Sequence, residues 1–176
     1  MEKADPMISA VAALSASLCF AAAILWAAFM DLTTMKIRNE IIVFLFAVYA
    51  ALAPLAGFSA VHIGLSAAAA FAVLAGMFLF FALGWIGGGD AKLASAVALW
   101  LGADQAPAFI LYTALFGGLI TLALLQFRTM PLPATCQRMP WIVKLHQSGV
   151  GVPYGIAIAL AGLVTFTETP WVVVLS

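Results

Sequence analysis

The amino-acid sequence predicts an all-α integral membrane protein with about six transmembrane helices. Composition is the first reason: 66% of the 176 residues are hydrophobic and only 8% are charged, whereas soluble domains carry about a quarter charged residues. The second reason is that the charges gather in a few short segments. The apolar runs between them are long enough to cross a hydrocarbon core about 30 Å thick. We therefore expect residues 1–176 to form a single polytopic membrane domain.

Net charge and cysteine content exclude several classes of function. The formal net charge is +0 and the sequence has no long basic block, so we expect no nucleic-acid partner. Cys19 lies inside the first apolar run and Cys136 lies in a polar segment, with no Cys-x-x-Cys motif and no cluster of cysteine and histidine. The sequence therefore indicates neither a disulfide framework nor a metal site.

The first two spans are predicted on either side of a polar loop. Residues 8–30 form an uncharged run that is too long for the core of a cleavable signal peptide, which has about 7 to 15 residues. In the loop at 31–40, Asn39 is a predicted N-cap for the next helix, and Glu40 suits the positive end of that helix. The second span is predicted over residues 41–58.

The middle of the chain predicts three more spans. The third span is expected over residues 61–84, after a tight turn. The fourth span, residues 91–101, is short for a full crossing and is followed by a predicted interfacial turn at 102–107. A start already at residue 87 would put irregular backbone at membrane depth, which is tolerated only where it is buried in protein or lines a wet cavity. The fifth span is predicted over residues 108–127.

The last part of the chain predicts a mobile loop and a sixth span. Residues 128–149 form the longest polar segment. The sixth span starts near residue 150 and ends either near residue 164 or near residue 175. Tryptophan is enriched at membrane interfaces, so all five tryptophans are predicted to be interface anchors: Trp26, Trp85, Trp100, Trp141 and Trp171.

The basic residues predict the orientation, because lysine and arginine in short loops favour the cytoplasmic side. Six spans place nearly all of them on one side: Lys36, Arg38, Lys92, Arg128, Arg138 and Lys144. The other side receives Lys3 together with four acids, Glu2, Asp5, Asp104 and Glu168. We therefore expect both termini outside the cytoplasm and three positions on its side, Thr33, Gly88 and Gln137.

Two acids, Asp31 and Asp90, stand at the ends of long apolar runs on the same predicted side. A charged residue at membrane depth costs about 2.5 to 3.5 kcal/mol and by default marks a functional site. Two carboxyls placed together share one proton, so that one can take a proton from water while the other donates to a scissile carbonyl. The glycines at 87–89 would let a substrate backbone or a neighbouring helix come close. These features predict a peptidase with two catalytic aspartates.

Three stretches resemble the type IV prepilin peptidases, which are membrane aspartyl proteases of the Gly-x-Gly-Asp type. They are Gly87-Gly-Gly-Asp-Ala-Lys-Leu93 continuing to Leu99-Trp-Leu-Gly102, Asp31 followed by Ile37-Arg-Asn39, and Val152-Pro-Tyr-Gly-Ile-Ala-Ile158. One departure is Arg38, where the family usually has proline, and it puts the local turn in question. The order and spacing of the three stretches agree with the family over nearly the whole chain.

The resemblance implies a function and a set of site residues. Asp31 and Asp90 would be catalytic, and no metal or other cofactor would be needed. The supporting residues would be Asn39, Gly87, Gly88, Gly89, Lys92, Pro153, Tyr154 and Gly155. The partner would be a prepilin with a short basic leader in the cytoplasm and an apolar helix in the membrane, cleaved after a glycine. The expected location is the bacterial inner membrane, with the site at its cytoplasmic face.

The resemblance is closest to the short CpaA/TadV-like peptidases that serve Flp or Tad pili. Larger members carry a cytoplasmic insert with paired Cys-x-x-Cys motifs between the first two spans, and they also methylate the new N-terminus. Here the loop at 31–40 contains no cysteine, so no such insert and no N-methyltransferase activity are expected.

Other interpretations of the acids remain open. Asp90 would also suit the N-cap of the following helix, and Asp31 would also suit an ion pair with Lys36 or Arg38. A small ion-coupled transporter could use both acids as a relay, although it would be expected to spread them through the bilayer depth and to show a repeat between its halves. A structural pilus-assembly subunit would not need them for chemistry.

Overall fold

The computed structural model describes residues 6–174, and every regular element in that part of the chain is helical. The described residues form seven α-helices: α1 (Pro6–Thr34), α2 (Asn39–Leu55), α3 (Ala60–Ala82), α4 (Gly88–Thr129), α5 (Pro140–His146), α6 (Tyr154–Phe166) and α7 (Pro170–Val173). A short 3-10 helix, Cys136–Arg138, precedes α5. The prediction of an all-α protein is confirmed. The predicted outer charges Glu2, Lys3 and Asp5, and the longer end of the sixth span at residue 175, lie outside the described residues.

Three helices, α1, α3 and α4, are long and apolar enough to cross a membrane. Two shorter helices, α2 and α6, are also apolar. The 13 residues of α6 extend over about 20 Å, which is less than the hydrocarbon core. The count of six crossings therefore stays a prediction.

Helix α4 joins the predicted fourth and fifth spans and changes direction at Gly102. This glycine has φ 77° and ψ 174°, a backbone conformation that is open to glycine but not to ordinary L-residues. Helical structure resumes at once after it. The reversal falls within the turn predicted over residues 102–107, but residues 103–107 are helical. That prediction is therefore wrong in its extent, because one glycine makes the whole reversal.

The first arm of α4, residues 88–101, runs parallel to α6. Gly162 of α6 lies against Val97, whose Cγ1 is 3.0 Å from the position that a Cβ on this glycine would take. Further along the chain, in α7, the Trp171 indole N–H donates to the carbonyl oxygen of Trp100, near the end of the first arm, over 3.1 Å. Later residues of the arm thus meet later residues of the C-terminal segment.

The second arm of α4, residues 103–129, runs the opposite way along α6. Its start lies near the end of α6, where the Gln105 side-chain amide donates to the backbone carbonyl of Glu168 over 3.5 Å. Its middle lies near the beginning of α6, where the ring of Tyr154 packs on Gly117. The two arms are therefore antiparallel.

Two tryptophans form the centre of the core and do not anchor at an interface. Trp100 is 2% exposed and Trp171 is fully buried, with ring centroids 5.1 Å apart. The Trp100 indole N–H donates to the carbonyl oxygen of Leu45 over 3.1 Å, so this polar group is satisfied inside the bundle. The prediction of interface anchors is wrong for both residues. Trp26 and Trp85 are exposed, as that prediction requires.

The segment between α4 and α6 is more ordered than predicted. The expectation of a mobile loop over residues 128–149 is wrong for its centre, where the 3-10 helix and α5 form. Lys144 in α5 donates to the carbonyl oxygen of Thr34, the last residue of α1, over 3.0 Å. This segment therefore lies against the same end of the bundle as the end of α1.

The arrangement of the ends leads to a topology prediction. In a variant without Cys19 and Cys136, Gln137→Cys should react only with a thiol reagent that reaches the cytoplasm, because it lies in the segment rich in arginine and lysine. Asp104→Cys, which lies just after the reversal at Gly102 and so at the opposite end of the bundle, should react with an impermeant reagent added outside. Both native residues are exposed. Labelling of Gln137→Cys from outside alone would contradict the predicted orientation.

Candidate active site

Asp31 lies near the end of α1 on the face of the helix that packs into the bundle. Ile24, Ala27 and Asp31 are all buried, and their spacing of three and four residues places them on one side of the helix. Asp31 is only 5% exposed. Its Oδ2 accepts a hydrogen bond of 2.7 Å from the backbone N–H of Gly155, which provides a donor that a buried carboxylate needs.

Asp90 lies in the first turn of α4 and is half-buried. Its Oδ2 accepts from the backbone N–H of Gly87 over 3.2 Å. The N-cap of α4 is therefore Gly87, and Asp90 caps it from the third helical position. The alternative prediction that Asp90 is itself the N-cap is wrong, although its carboxylate does serve the helix start. Among the residues that the structure describes, Oδ1 of Asp90 is buried without a hydrogen-bond partner.

The two acids lie in one small cavity of about 310 Å³. Its lining comes from the end of α1, the connection to α2 and the start of α4: Asp31, Met35, Lys36, Ile37, Gly87, Gly88, Gly89 and Asp90. Two carboxyls separated by 59 positions in the sequence are thus brought together at one end of the bundle.

The three glycines before Asp90 allow close packing. A Cβ on Gly89 would lie 3.2 Å from Cβ of Ile37, and one on Gly88 would lie 3.3 Å from the ring of Phe81. A Cβ on Gly87 would lie 2.9 Å from Oδ2 of Asp90. These glycines were expected to let a substrate backbone or a neighbouring helix come close, and the structure shows the second of these, since Phe81 of α3 packs on Gly88.

The three residues at the start of α6 that were predicted to support the site have different contacts. Pro153 is the N-cap of α6. Tyr154 turns its ring towards α4, where its Cε1 lies 2.7 Å from the position of a Cβ on Gly117. Gly155 contacts Asp31 directly, since a Cβ on it would lie 2.8 Å from Oδ2 and 2.9 Å from Cβ of the aspartate. Only a glycine allows this approach.

Lys92 and Asn39 join the start of α4 to the start of α2. The Lys92 ammonium donates to Oδ1 of Asn39 over 3.1 Å. The N-cap of α2 is Arg38, without a side-chain cap bond, so the prediction that Asn39 caps this helix is wrong. Its side chain instead accepts from a residue 53 positions away.

Arg38 neither pairs with Asp31 nor disturbs the turn. The guanidinium of Arg38 binds Glu40, with an N–O distance of 3.2 Å and both side chains exposed. The hydrogen-bond partner of Asp31 is Gly155, so its predicted ion pair with Lys36 or Arg38 is wrong. The backbone of Arg38 has φ −75° and ψ 136°, and this φ is one that proline would also adopt. The arginine therefore keeps the conformation that the family's proline would give.

Arg128 forms several hydrogen bonds to the segment before α6 and was not among the predicted site residues. Its guanidinium donates to three backbone carbonyls, those of Leu145, Val150 and Gly151. No sequence motif marks it, because its partners are main-chain atoms. Within residues 6–174, no group of three or more histidines, cysteines or acids is placed to hold a metal ion.

Comparisons with curated proteins and with solved structures returned no match. A family model does match: the type IV leader peptidase family model aligns with residues 18–122. This range covers more than half of the 176 residues and includes both Asp31 and Asp90. The chain therefore belongs to the type IV leader peptidase family.

Proposed function

We propose that this protein is a prepilin leader peptidase in which Asp31 and Asp90 form an aspartyl catalytic pair. The observation that carries the proposal is the cavity that both carboxyls line. Family membership supports the class of reaction. A relay of acids through the bilayer depth would need them at different levels, whereas here both lie at one end of the bundle.

The hydrogen bonds of the two acids support an assignment of the general base and the general acid. Asp31 receives the shorter backbone hydrogen bond, 2.7 Å from Gly155, which favours its ionised form as the base that takes a proton from water. Oδ1 of Asp90 has no partner among the described residues, and it would carry the shared proton. The water oxygen would then attack the scissile carbonyl carbon while Asp90 donates its proton to the carbonyl oxygen. The resulting tetrahedral gem-diol breaks down when Asp31 gives the proton that it took from water to the leaving nitrogen. One hydroxyl of the gem-diol returns a proton to Asp90 as the C–N bond breaks, so both carboxyls regain their starting state.

The proposed substrate is a prepilin of the Flp or Tad type, cleaved after the glycine that ends its basic leader at the cytoplasmic face of the inner membrane. The CpaA/TadV-like assignment is supported by the connection between α1 and α2, which consists of residues 35–38. Four residues leave no room for the insert of the larger members. We therefore propose peptidase activity without N-methyltransferase activity.

Co-expression with a Flp-type prepilin tests this function. The prepilin should gain mobility on a gel, and the mass of the product should correspond to cleavage after the leader glycine. A prepilin that stays unprocessed while the protein is present in the membrane would refute the proposal.

Cleavage should be insensitive to chelators. The mechanism uses two carboxyls, and the sequence contains no cluster of histidine and cysteine that would suit a structural or catalytic zinc ion. Purified protein treated with EDTA should therefore process prepilin at an unchanged rate. Loss of activity that zinc restores would replace the aspartyl mechanism with a metal-dependent one.

A further inference from the structure

Arg128 binds the segment that leads into α6. It lies in the last turn of α4 and is half-buried. Its Nε donates to the carbonyl of Leu145 over 2.9 Å, and its Nη2 donates to the carbonyls of Val150 and Gly151 over 2.7 and 3.1 Å. The planar guanidinium offers five donors in a fixed arrangement, so one side chain can hold several carbonyls at once.

The same face of α4 holds this segment at a second point. Positions 117 and 128 are 11 residues apart, which is about three helical turns, so both lie on one side of the helix. Gly117 packs against the ring of Tyr154. The residue that follows Tyr154 is Gly155, whose backbone N–H donates to Asp31. The second arm of α4 therefore contacts the chain just before Gly155 at two places.

The hydrogen bonds of Arg128 reach further along the chain than those of most basic residues at a helix end. Basic residues in a last turn commonly bind the carbonyls of their own helix or interact with its dipole. The carbonyls bound here come from residues 17 to 23 positions later in the sequence. The guanidinium thus joins two separate parts of the chain.

We propose that Arg128 is a positioning residue: by holding residues 145–151 it keeps the backbone N–H of Gly155 on Oδ2 of Asp31. Its role in the reaction rests on the proposed peptidase function, while its effect on the order of the segment does not. Without the guanidinium, water can bind the freed carbonyls at the end of the bundle, so the fold persists. The donor to Asp31 loses its fixed position, and a misplacement of about 1 Å near reacting groups can cost about 10²-fold in rate.

The test compares Arg128→Gln and Arg128→Lys with a matched control, Arg138→Gln. Arg138 lies in the same connecting segment and is exposed. It does not line the cavity that contains Asp31 and Asp90. Hydrogen exchange of the backbone amides at 147–156, measured on the full-length protein without substrate, reports the order of the segment. Cleavage of a purified Flp-type prepilin gives kcat and KM.

Arg128→Gln should accelerate exchange at 147–156 and lower kcat about 10-fold or more while KM changes less than about twofold. Arg128→Lys should recover part of kcat, and Arg138→Gln should behave like the unmodified protein. Unchanged exchange, faster exchange with unchanged kcat, or a rise of KM at constant kcat would each overturn the proposal. If the unmodified protein cleaves no prepilin, the proposed function fails, and the positioning role fails with it even if the exchange result shows that Arg128 orders the segment.

Discussion

Replacing either Asp31 or Asp90 with asparagine should reduce prepilin cleavage by about 10²- to 10⁴-fold, because this is what acid–base catalysis by one positioned group contributes. Asparagine keeps the size of aspartate and can still accept the N–H of Gly155 or Gly87, so each variant should reach the membrane at a normal level. Only the proton chemistry is removed. The measurement is the fraction of co-expressed prepilin processed, with the amount of each variant in the membrane quantified in parallel.

The double variant should be scarcely worse than either single variant. The two carboxyls share one proton and one water in the proposed mechanism, and groups that act as a unit lose most of their effect when the first is removed. Asp104→Asn and Glu168→Gln serve as controls, since both acids are exposed at the opposite end of the bundle. Substantial cleavage by Asp31→Asn or Asp90→Asn would refute the catalytic pair and favour the transporter or assembly-subunit alternative.

Gly155→Ala should lower cleavage by about 10²-fold through displacement of Asp31. A Cβ at this position would lie 2.8 Å from Oδ2, 2.9 Å from Cβ and 3.1 Å from Cγ of the aspartate. These atoms belong to a short, buried side chain with little room to move, so either α6 or Asp31 must shift. The 2.7 Å hydrogen bond to the carboxylate would be lost or lengthened. Processing rates at equal amounts of enzyme measure the effect.

Gly149→Ala is the matched control for this substitution. It lies in the segment before α6, and nothing lies within 4 Å of the Cβ that it would gain. Its processing rate should equal that of the unmodified protein. Equal rates for Gly155→Ala and Gly149→Ala would mean that the contact between α6 and Asp31 has no part in the reaction.

The sequence predicted the parts of the fold that depend on composition and periodicity. Long apolar runs specify membrane helices almost regardless of their partners, so α1 and α3 appear close to their predicted ranges. The candidate site could also be predicted from the sequence, because acids such as Asp31 and Asp90 are unusual in such an apolar chain. Their meeting in one cavity follows from two helix ends that reach the same end of the bundle.

Features that depend on long-range packing could not be predicted from the sequence. Tryptophan suits both an interface and a core, and nothing local to Trp100 or Trp171 reveals that each indole N–H finds a carbonyl inside the bundle. The bond from Gly155 to Asp31 spans 124 positions, and the bonds of Arg128 end on main-chain atoms. The presence of Gly102 allowed a turn to be predicted. It did not show that this one residue would suffice to reverse the direction of the chain.

The reversal at Gly102 has a consequence for biogenesis. The first arm of α4, residues 88–101, extends over about 21 Å, too short to span the hydrocarbon core on its own. Gly102 is the one residue of α4 with non-helical backbone, so the second arm can form directly against the first. We therefore expect the two arms to enter the membrane together as a helical hairpin, which would carry Asp90 to the end of the bundle where Asp31 lies.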